Sequence, residues 1–441
     1  MKNPVINNKI DFTKNQSTCP YATKSNVPFD FYDESFITNP ELTFQKLRNI
    51  APIQQITLDD DFPIWLISRY EDITSVLRDP RFIKSPDNLR ISTNEPLKGK
   101  TEKNTSAYIL RRWHMLAKDP PQHTRLRDFS KKAFTPKIIK EMRSRIQQIT
   151  DELIDNIYNT RKIDFIDDFA YQLPIIVISE LLGLPIEDRE KIRNWSDILI
   201  EIQVTEKNKQ SINENSQAFT DYLKNVFALR RKIPGNDLIS SFLKLEETED
   251  HMTEDELYAT IFLLIIAGHE TTVNLISNGM HALLTHPEQL NLLKNNPHLI
   301  HSAVEEILRY NGPVLTSTLR LASVDIIINN IKIKKGEGVL ALLSSANQDE
   351  TQFDTPLRFD ITRKPSQHLA FGYGIHFCIG APLARLECEI ALNTILKRLP
   401  NIKLDTESNL PKWRASTIVR GLKNFPVVFW IKNKTWGGMS K

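Results

Sequence analysis

Cysteine is scarce. Cys19, Cys378 and Cys388 are the only three in 441 residues, and an odd number without a C-x-x-C pair makes a poor disulfide framework and a poor zinc site. The pattern suits a reducing compartment, so a cytoplasmic location is expected. Glycine is thin as well, at 14 residues, less than half the usual share of about 7%. Long apolar runs are missing. The longest unbroken one, IFLLIIA at 261–267, falls far short of the roughly 18 residues that span a bilayer. The N-terminus, MKNPVINNKIDFTKNQSTCP, has no apolar stretch of the signal-peptide or anchor kind. Charge of one sign is also lacking: 57 Lys+Arg against 54 Asp+Glu leave +3, too little to argue for nucleic acid. No repeat, βαβ alternation or G-x-G-x-x-G after a strand occurs, which removes the usual nicotinamide and flavin fingerprints.

What is present is a chain with 40% hydrophobic and 25% charged residues, enough for a soluble fold with a sizeable core. Residues 1–30 read as a loosely ordered lead-in, and 31–441 as one large domain. APIQQITL (51–58) and PIWLISRY (63–70) alternate like two paired strands, with a helix following through EDITSVLRD. Residues 83–110 form a long polar stretch of weak periodicity, of the length that is usually functional or mobile. From about 122 to 310 the pattern is helical, including 137–158 and a buried helix at 171–185 expected to stop at Pro185. Strand signals return at 319–343, with turns at Asn329-Asn330 and Gly336. A helix at 381–398 and a short strand, FPVVFWI, close the chain. The expected fold class is mainly α with small antiparallel β-sheets.

One helix stands apart. Thr253 followed by Glu256 is a capping-box pattern, and no proline interrupts the chain from there to Thr285, about 32 residues or roughly 48 Å. Its middle is apolar on every face, so it threads the core. Yet GHETT, residues 268–272, breaks that apolar stretch. Gly268 weakens a helix by about 1 kcal/mol relative to Ala, and Thr271 can bond the carbonyl of Ala267, which bends helices. A buried helix with a polar centre suggests a site.

Gly372, Gly374 and Gly380 place three of the few glycines around Cys378, just before the helical APLARLECEIALNTIL. A thiolate at a helix N-terminus is stabilised by unpaired N–H groups and the helix dipole, so a low pKa is expected. Three readings compete: a structural cysteine, a catalytic nucleophile with His376 two residues away, and a soft metal ligand, for which a single thiolate suits haem iron. Glu306 and Arg309, at i and i+3 in EEILRY, share one helix face, and His123 and Arg127 lie one turn apart in DPPQHTRLR. Each pair alone is an ordinary ion pair or a solvated face.

Taken together, in this order and at these separations, the motifs resemble those of the cytochrome P-450 family of bacterial soluble type, from about residue 35 onward. Phe371, Gly374, Cys378 and Gly380 match its Phe-x-x-Gly-x-x-x-Cys-x-Gly loop. Ala267, Gly268, Glu270, Thr271 and Thr272 match its Ala-Gly-x-acid-Thr-Thr helix motif, and Glu306 and Arg309 its Glu-x-x-Arg pair. The resemblance implies a haem b cofactor (iron protoporphyrin IX) with Cys378 as proximal thiolate and Phe371 packed against it. It places His123, Arg127, Arg320 and His376 on the haem propionates, Glu306 and Arg309 as a structural pair, and Glu270 and Thr271 as the acid–alcohol pair for proton delivery. Gln122 departs from a common Glu, and NQDE at 347–350 departs from Asn-Arg-Asp-Pro.

The implied activity is a haem-thiolate monooxygenase acting on an apolar small molecule, of polyketide or macrolide type, by hydroxylation or epoxidation. Fatty-acyl hydroxylation and a peroxide-driven peroxygenase of the same fold are the alternatives. A haem sensor and a thiol hydrolase rank below them. Electrons would come from a ferredoxin or flavodoxin with its reductase, and the basic run Arg125, Arg127, Lys131 and Lys132 could receive such an acidic donor. No membrane anchor is expected, and a monomer is. Residues 83–110, 198–225 and VLTST at 314–318 are the candidate substrate contacts.

Overall fold

A computed structural model of the chain describes residues 27–430, apart from 59–61, 91–104, 133, 200–207, 248–249, 365–366 and 408–409. Cys19 and parts of the 83–110 and 198–225 stretches lie outside the described residues.

The long helix runs Glu254–Thr285 without a break. Thr253 accepts the Glu256 N–H, and the Glu256 carboxylate accepts the Thr253 N–H at 2.9 Å, so the expected capping box forms in full. Three acidic residues in its first turn, Glu254, Asp255 and Glu256, complement the positive end of the helix dipole. By length and composition it could cross a membrane, but 72% of its most apolar window is buried. It is the core helix of this fold. It packs against helices Ser106–Arg112, Gln172–Leu182, Ile300–Asn311 and Ala381–Arg398. Gly279 allows a close approach to Ile300–Asn311: a Cβ there would stand 3.0 Å from Ile307 Cδ1.

The Gln172–Leu182 helix ends at Gly183 in the left-handed conformation, φ +80°, and not at Pro185. Leu184 N–H bonds the Ser179 carbonyl, a Schellman-type closure that satisfies the last carbonyls before proline can act. Ala381–Arg398, as expected from its pattern, is one helix, packed against Pro136–Ile157.

The main sheet has five strands in the order Ile53–Leu58, Phe62–Ile67, Gly338–Ala341, Arg320–Ala322, Phe82–Ile83. The strand pairs of the described residues are antiparallel, as expected, except that Phe62–Ile67 pairs with Gly338–Ala341 in parallel. A parallel pair needs a long crossover, and here nearly the whole helical body lies between the two strands. Asn329 and Asn330 both take positive φ, 47° and 65°, in the tight turn joining Ile326–Ile328 to Ile331–Ile333. FPVVFWI contributes only Pro426–Val428 as strand, between Lys162–Asp164 and Lys403–Leu404.

Two stretches are more ordered than their composition suggests. The 83–110 stretch contains a helix, Ser106–Arg112, capped by Thr105. Val27 and Phe29, within the lead-in by sequence, are buried in an aromatic cluster with Phe31, Phe36 and Phe44.

Candidate active site

The cysteine loop folds back on itself through a bond from the Cys378 N–H to the Phe371 carbonyl at 2.9 Å. Gly372 and Gly374 adopt φ of +72° and +74°. At Gly374 a Cβ would come within 2.6 Å of the Leu77 carbonyl oxygen, so only glycine lets the loop lie on the end of the helix Tyr70–Arg78. Gly380 is different. A Cβ there would stand 3.9 Å from Cys378 Sγ, ordinary contact, so its steric role is small. Its N–H and that of Ala381 both act on the sulfur.

Cys378 is an exposed residue, whereas Cys388 is buried. Burial by the surrounding protein pushes the Cys378 thiol up, and the two N–H groups, Arg127 and Arg385 pull against it without winning. The expected low pKa is therefore corrected for the chain by itself: desolvation of the charged form outweighs the helix N-terminus. Phe371 lies beneath the Arg385 guanidinium at 4.5 Å and 6.3 Å from Phe377.

Beside the loop, basic side chains crowd together. The rings of His123 and His376 are 4.4 Å apart. Arg320 is 5% exposed and spends one N–H on the Phe82 carbonyl at 3.3 Å. Arg127 donates to the Phe377 carbonyl at 2.6 Å. Both ring nitrogens of His123, Nε2 of His376, Nε of Arg320 and Nδ1 of His114 are buried without a hydrogen-bond partner among the described residues. Burial, then Lys84 and Arg320, hold His376 down at about 2, and burial lowers Arg320 to about 10. A buried arginine and buried imidazoles packed together with open nitrogens are costly unless an acceptor or an anion joins them. A cofactor carrying two carboxylates fits this cluster, with Cys378 accessible beside it. Sequence reasoning singled out His123, Arg127, Arg320 and His376. It missed Lys84 and His114, because no spacing marks a lysine or a lone histidine that becomes buried only in three dimensions.

On the long helix, residues 257–265 and 272–280 are buried, yet Ala267 is exposed and Ile266, Gly268, Glu270 and Thr271 are half-buried. One turn in mid-core therefore faces open space. Thr271 Oγ1 donates to the Ala267 carbonyl at 2.6 Å, the bond anticipated from the spacing. Thr272 Oγ1 does the same to Gly268 at 2.9 Å. Glu270 accepts from Arg414 at 3.3 Å, a partner the sequence did not announce, since it lies 144 positions away. His269 points into protein instead. It is 2% exposed, 4.3 Å from the Tyr171 ring, and held neutral at about 3 by burial and by Arg193 and Arg414.

Glu306 and Arg309 form a two-fold bridge at 2.7 and 2.8 Å, each side chain 1% exposed. Arg309 also donates to the Asn347 and Pro356 carbonyls. Arg363, missed by the sequence reading, closes on Glu306 at 3.1 Å. Two cations and the Asp360 N–H thus satisfy one carboxylate. In the divergent 347–350 segment, Asn347 accepts the Leu369 N–H, and Glu350 gains a bridge to Arg48 at 2.9 Å. Arg125, by contrast, is spent on Glu256 and the His251 carbonyl, so it is not free to meet a partner.

The chain was compared with known proteins. The family profile described as Cytochrome P450 matches residues 162–425. A cytochrome P450 of Priestia megaterium is 46% identical, the alignment covering 85% of this chain and 92% of the relative. The polyketide biosynthesis cytochrome P450 PksS of Bacillus subtilis is 39% identical, over 90% and 98% of the two chains. A myxobacterial cytochrome P450 solved in complex with myristic acid superposes with a TM-score of 0.84 at 40% identity, over 91% of this chain and 99% of that one.

Proposed function

This chain belongs to the cytochrome P450 family and is a monooxygenase of that family, and on that premise we propose that it inserts one atom of dioxygen into an apolar natural product of polyketide or macrolide type. The relative named for polyketide biosynthesis supports that substrate class, and the neighbour holding myristic acid supports fatty-acyl chains as the second. Family members bind haem and draw electrons from a redox partner. We take the haem here to be haem b and the partner to be a ferredoxin or flavodoxin with its reductase. The chain acts as a cytoplasmic monomer in this reading.

Cys378 would hold the haem iron, and metal coordination would supply what the N–H groups cannot, since a coordinating thiol is deprotonated outright. Gly380 and Ala381 then direct their N–H groups at a sulfur that carries charge. His123, Arg127, Arg320 and His376 would hold the two carboxylates, with Arg preferred for its fixed fork of donors. When bound, haem supplies the binding and activation of dioxygen.

The chain's own part is to place the substrate and to meter protons. Ile266 and Ala267 present an apolar turn to the substrate side. Thr271 commits its hydroxyl hydrogen to Ala267, which leaves the oxygen's lone pairs to accept a hydrogen bond from the cavity. Glu270, tied to Arg414, stands at the next position along the helix to pass protons inward. The observation that carries this reading is Cys378, an exposed residue, beside a cluster of buried basic side chains with open nitrogens. Turnover with dioxygen, a surrogate ferredoxin and its reductase tests it. Oxygenated product formed from NAD(P)H supports the reading; product from hydrogen peroxide alone would favour the peroxygenase.

A further inference from the structure

Lys84 is 9% exposed, and its ammonium donates to Thr318 Oγ1 and to the Leu319 carbonyl, both at 2.6 Å. An ammonium has three hydrogens, so one is left over. Lys84 acts on His114 and His376 and is itself acted on by Arg320 and Arg112, all of the same sign. The one carboxylate bearing on both Lys84 and Arg320 is Asp119. Asp119 is already spent. Its two oxygens take the N–H groups of Lys84 and Ser85 and the amide of Asn88, at 2.8–2.9 Å.

We propose that Lys84 is a cofactor-anchoring residue, its third N–H answering the carboxylate edge of the haem while the other two hold the strand entry at Thr318 and Leu319. The proposal rests on the haem reading of the site. Burial and the neighbouring cations hold the lysine well below its ordinary range, and a carboxylate at the cluster would favour its charged form. No spacing in the sequence and no motif of the resemblance marks this lysine. Its position has a consequence, because Thr318 ends the 314–318 segment expected to meet substrate. One ammonium then joins the cofactor edge to the substrate wall.

The test is haem transfer from the holoenzyme to excess apomyoglobin, measured for wild type, Lys84→Met and Lys84→Arg. Each is loaded in parallel with haem or with haem dimethyl ester, whose carboxylates are blocked. Lys84→Met is expected to release haem at least tenfold faster than wild type, and Lys84→Arg within about threefold of it. With the dimethyl ester the difference between Met and wild type should disappear. If Lys84→Met does not accumulate, Lys84→Gln takes its place, with the same expectation of direction. Equal release from wild type and the Met or Gln variant overturns the proposal, and so does an acceleration that persists with the ester, which marks a purely structural lysine. A wild-type protein that takes up no haem would instead defeat the reading of the site itself.

Discussion

Thr271 gives its hydroxyl hydrogen to the carbonyl of Ala267 at 2.6 Å, at the open turn in the middle of an otherwise buried helix. The bond fixes the side chain and decides which way its oxygen can act. Replacing Thr271 by Ala removes the hydroxyl and one methyl at a half-buried turn that faces open space, so fold and haem content should survive. Product formed per NAD(P)H should fall by roughly tenfold or more, since positioned proton transfer is typically worth 10²–10⁴-fold, with the missing equivalents appearing as hydrogen peroxide. An unchanged ratio assigns Thr271 to helix packing alone.

Arg414 holds Glu270 from a distant segment. Arg414→Ala should reproduce part of the Glu270→Gln defect in product yield, and Arg414→Lys should recover much of it. The double variant should be no worse than Glu270→Gln alone, because the two residues act as one unit. Additive losses would show that they work separately.

Arg320 is expected to be needed for cofactor retention and not for chemistry. Its removal leaves a buried carboxylate unpaired in the loaded enzyme, at a cost of about 3–5 kcal/mol. Haem content of purified Arg320→Ala, read from absorbance against protein concentration, should drop severalfold. Full occupancy with normal thermal stability contradicts the assignment.

His269 links pH to stability. Its folded value is depressed to about 3, while the unfolded chain titrates near 6.5. The unfolded state therefore binds a proton that the folded state refuses, and stability falls as pH drops from about 6.5 toward 3. The slope is about 1.4 kcal/mol per pH unit for one such group. His269→Leu should make that limb shallower by one group's share, His114, His281 and His376 being depressed as well, in denaturant unfolding followed from pH 7 to pH 5; an unchanged slope would show that His269 is protonated in the fold.

Much of the architecture was legible in the sequence because it depends on local pattern. Thr253 and Glu256 announced the capping box, Asn329-Asn330 the turn, and the apolar spacing of 381–398 its helix. The parallel pairing of 62–67 with 338–341 was not legible, since it joins segments some 270 positions apart and no periodicity records a partner. The helix end at Gly183 was missed for another reason: glycine in the left-handed region closes the last turn two residues before proline would. At the site, motifs located Cys378, Thr271, Glu306 and Arg309, each defined by near neighbours in the chain. Lys84, His114, Arg363 and Arg414 act through long-range contacts and carry no spacing of their own. At Cys378 the helix N-terminus was legible, whereas the desolvation around the sulfur that raises the thiol was not.

The most direct measurement is the absorbance spectrum of the reduced, carbon monoxide-treated protein, taken for wild type and for Cys19→Ser, Cys378→Ser and Cys388→Ser. A thiolate on haem iron gives a red-shifted Soret band. Wild type and the Cys19 and Cys388 variants should show it, and Cys378→Ser should lose it. A band that persists in Cys378→Ser, or is absent from wild type that has taken up haem, would contradict the account.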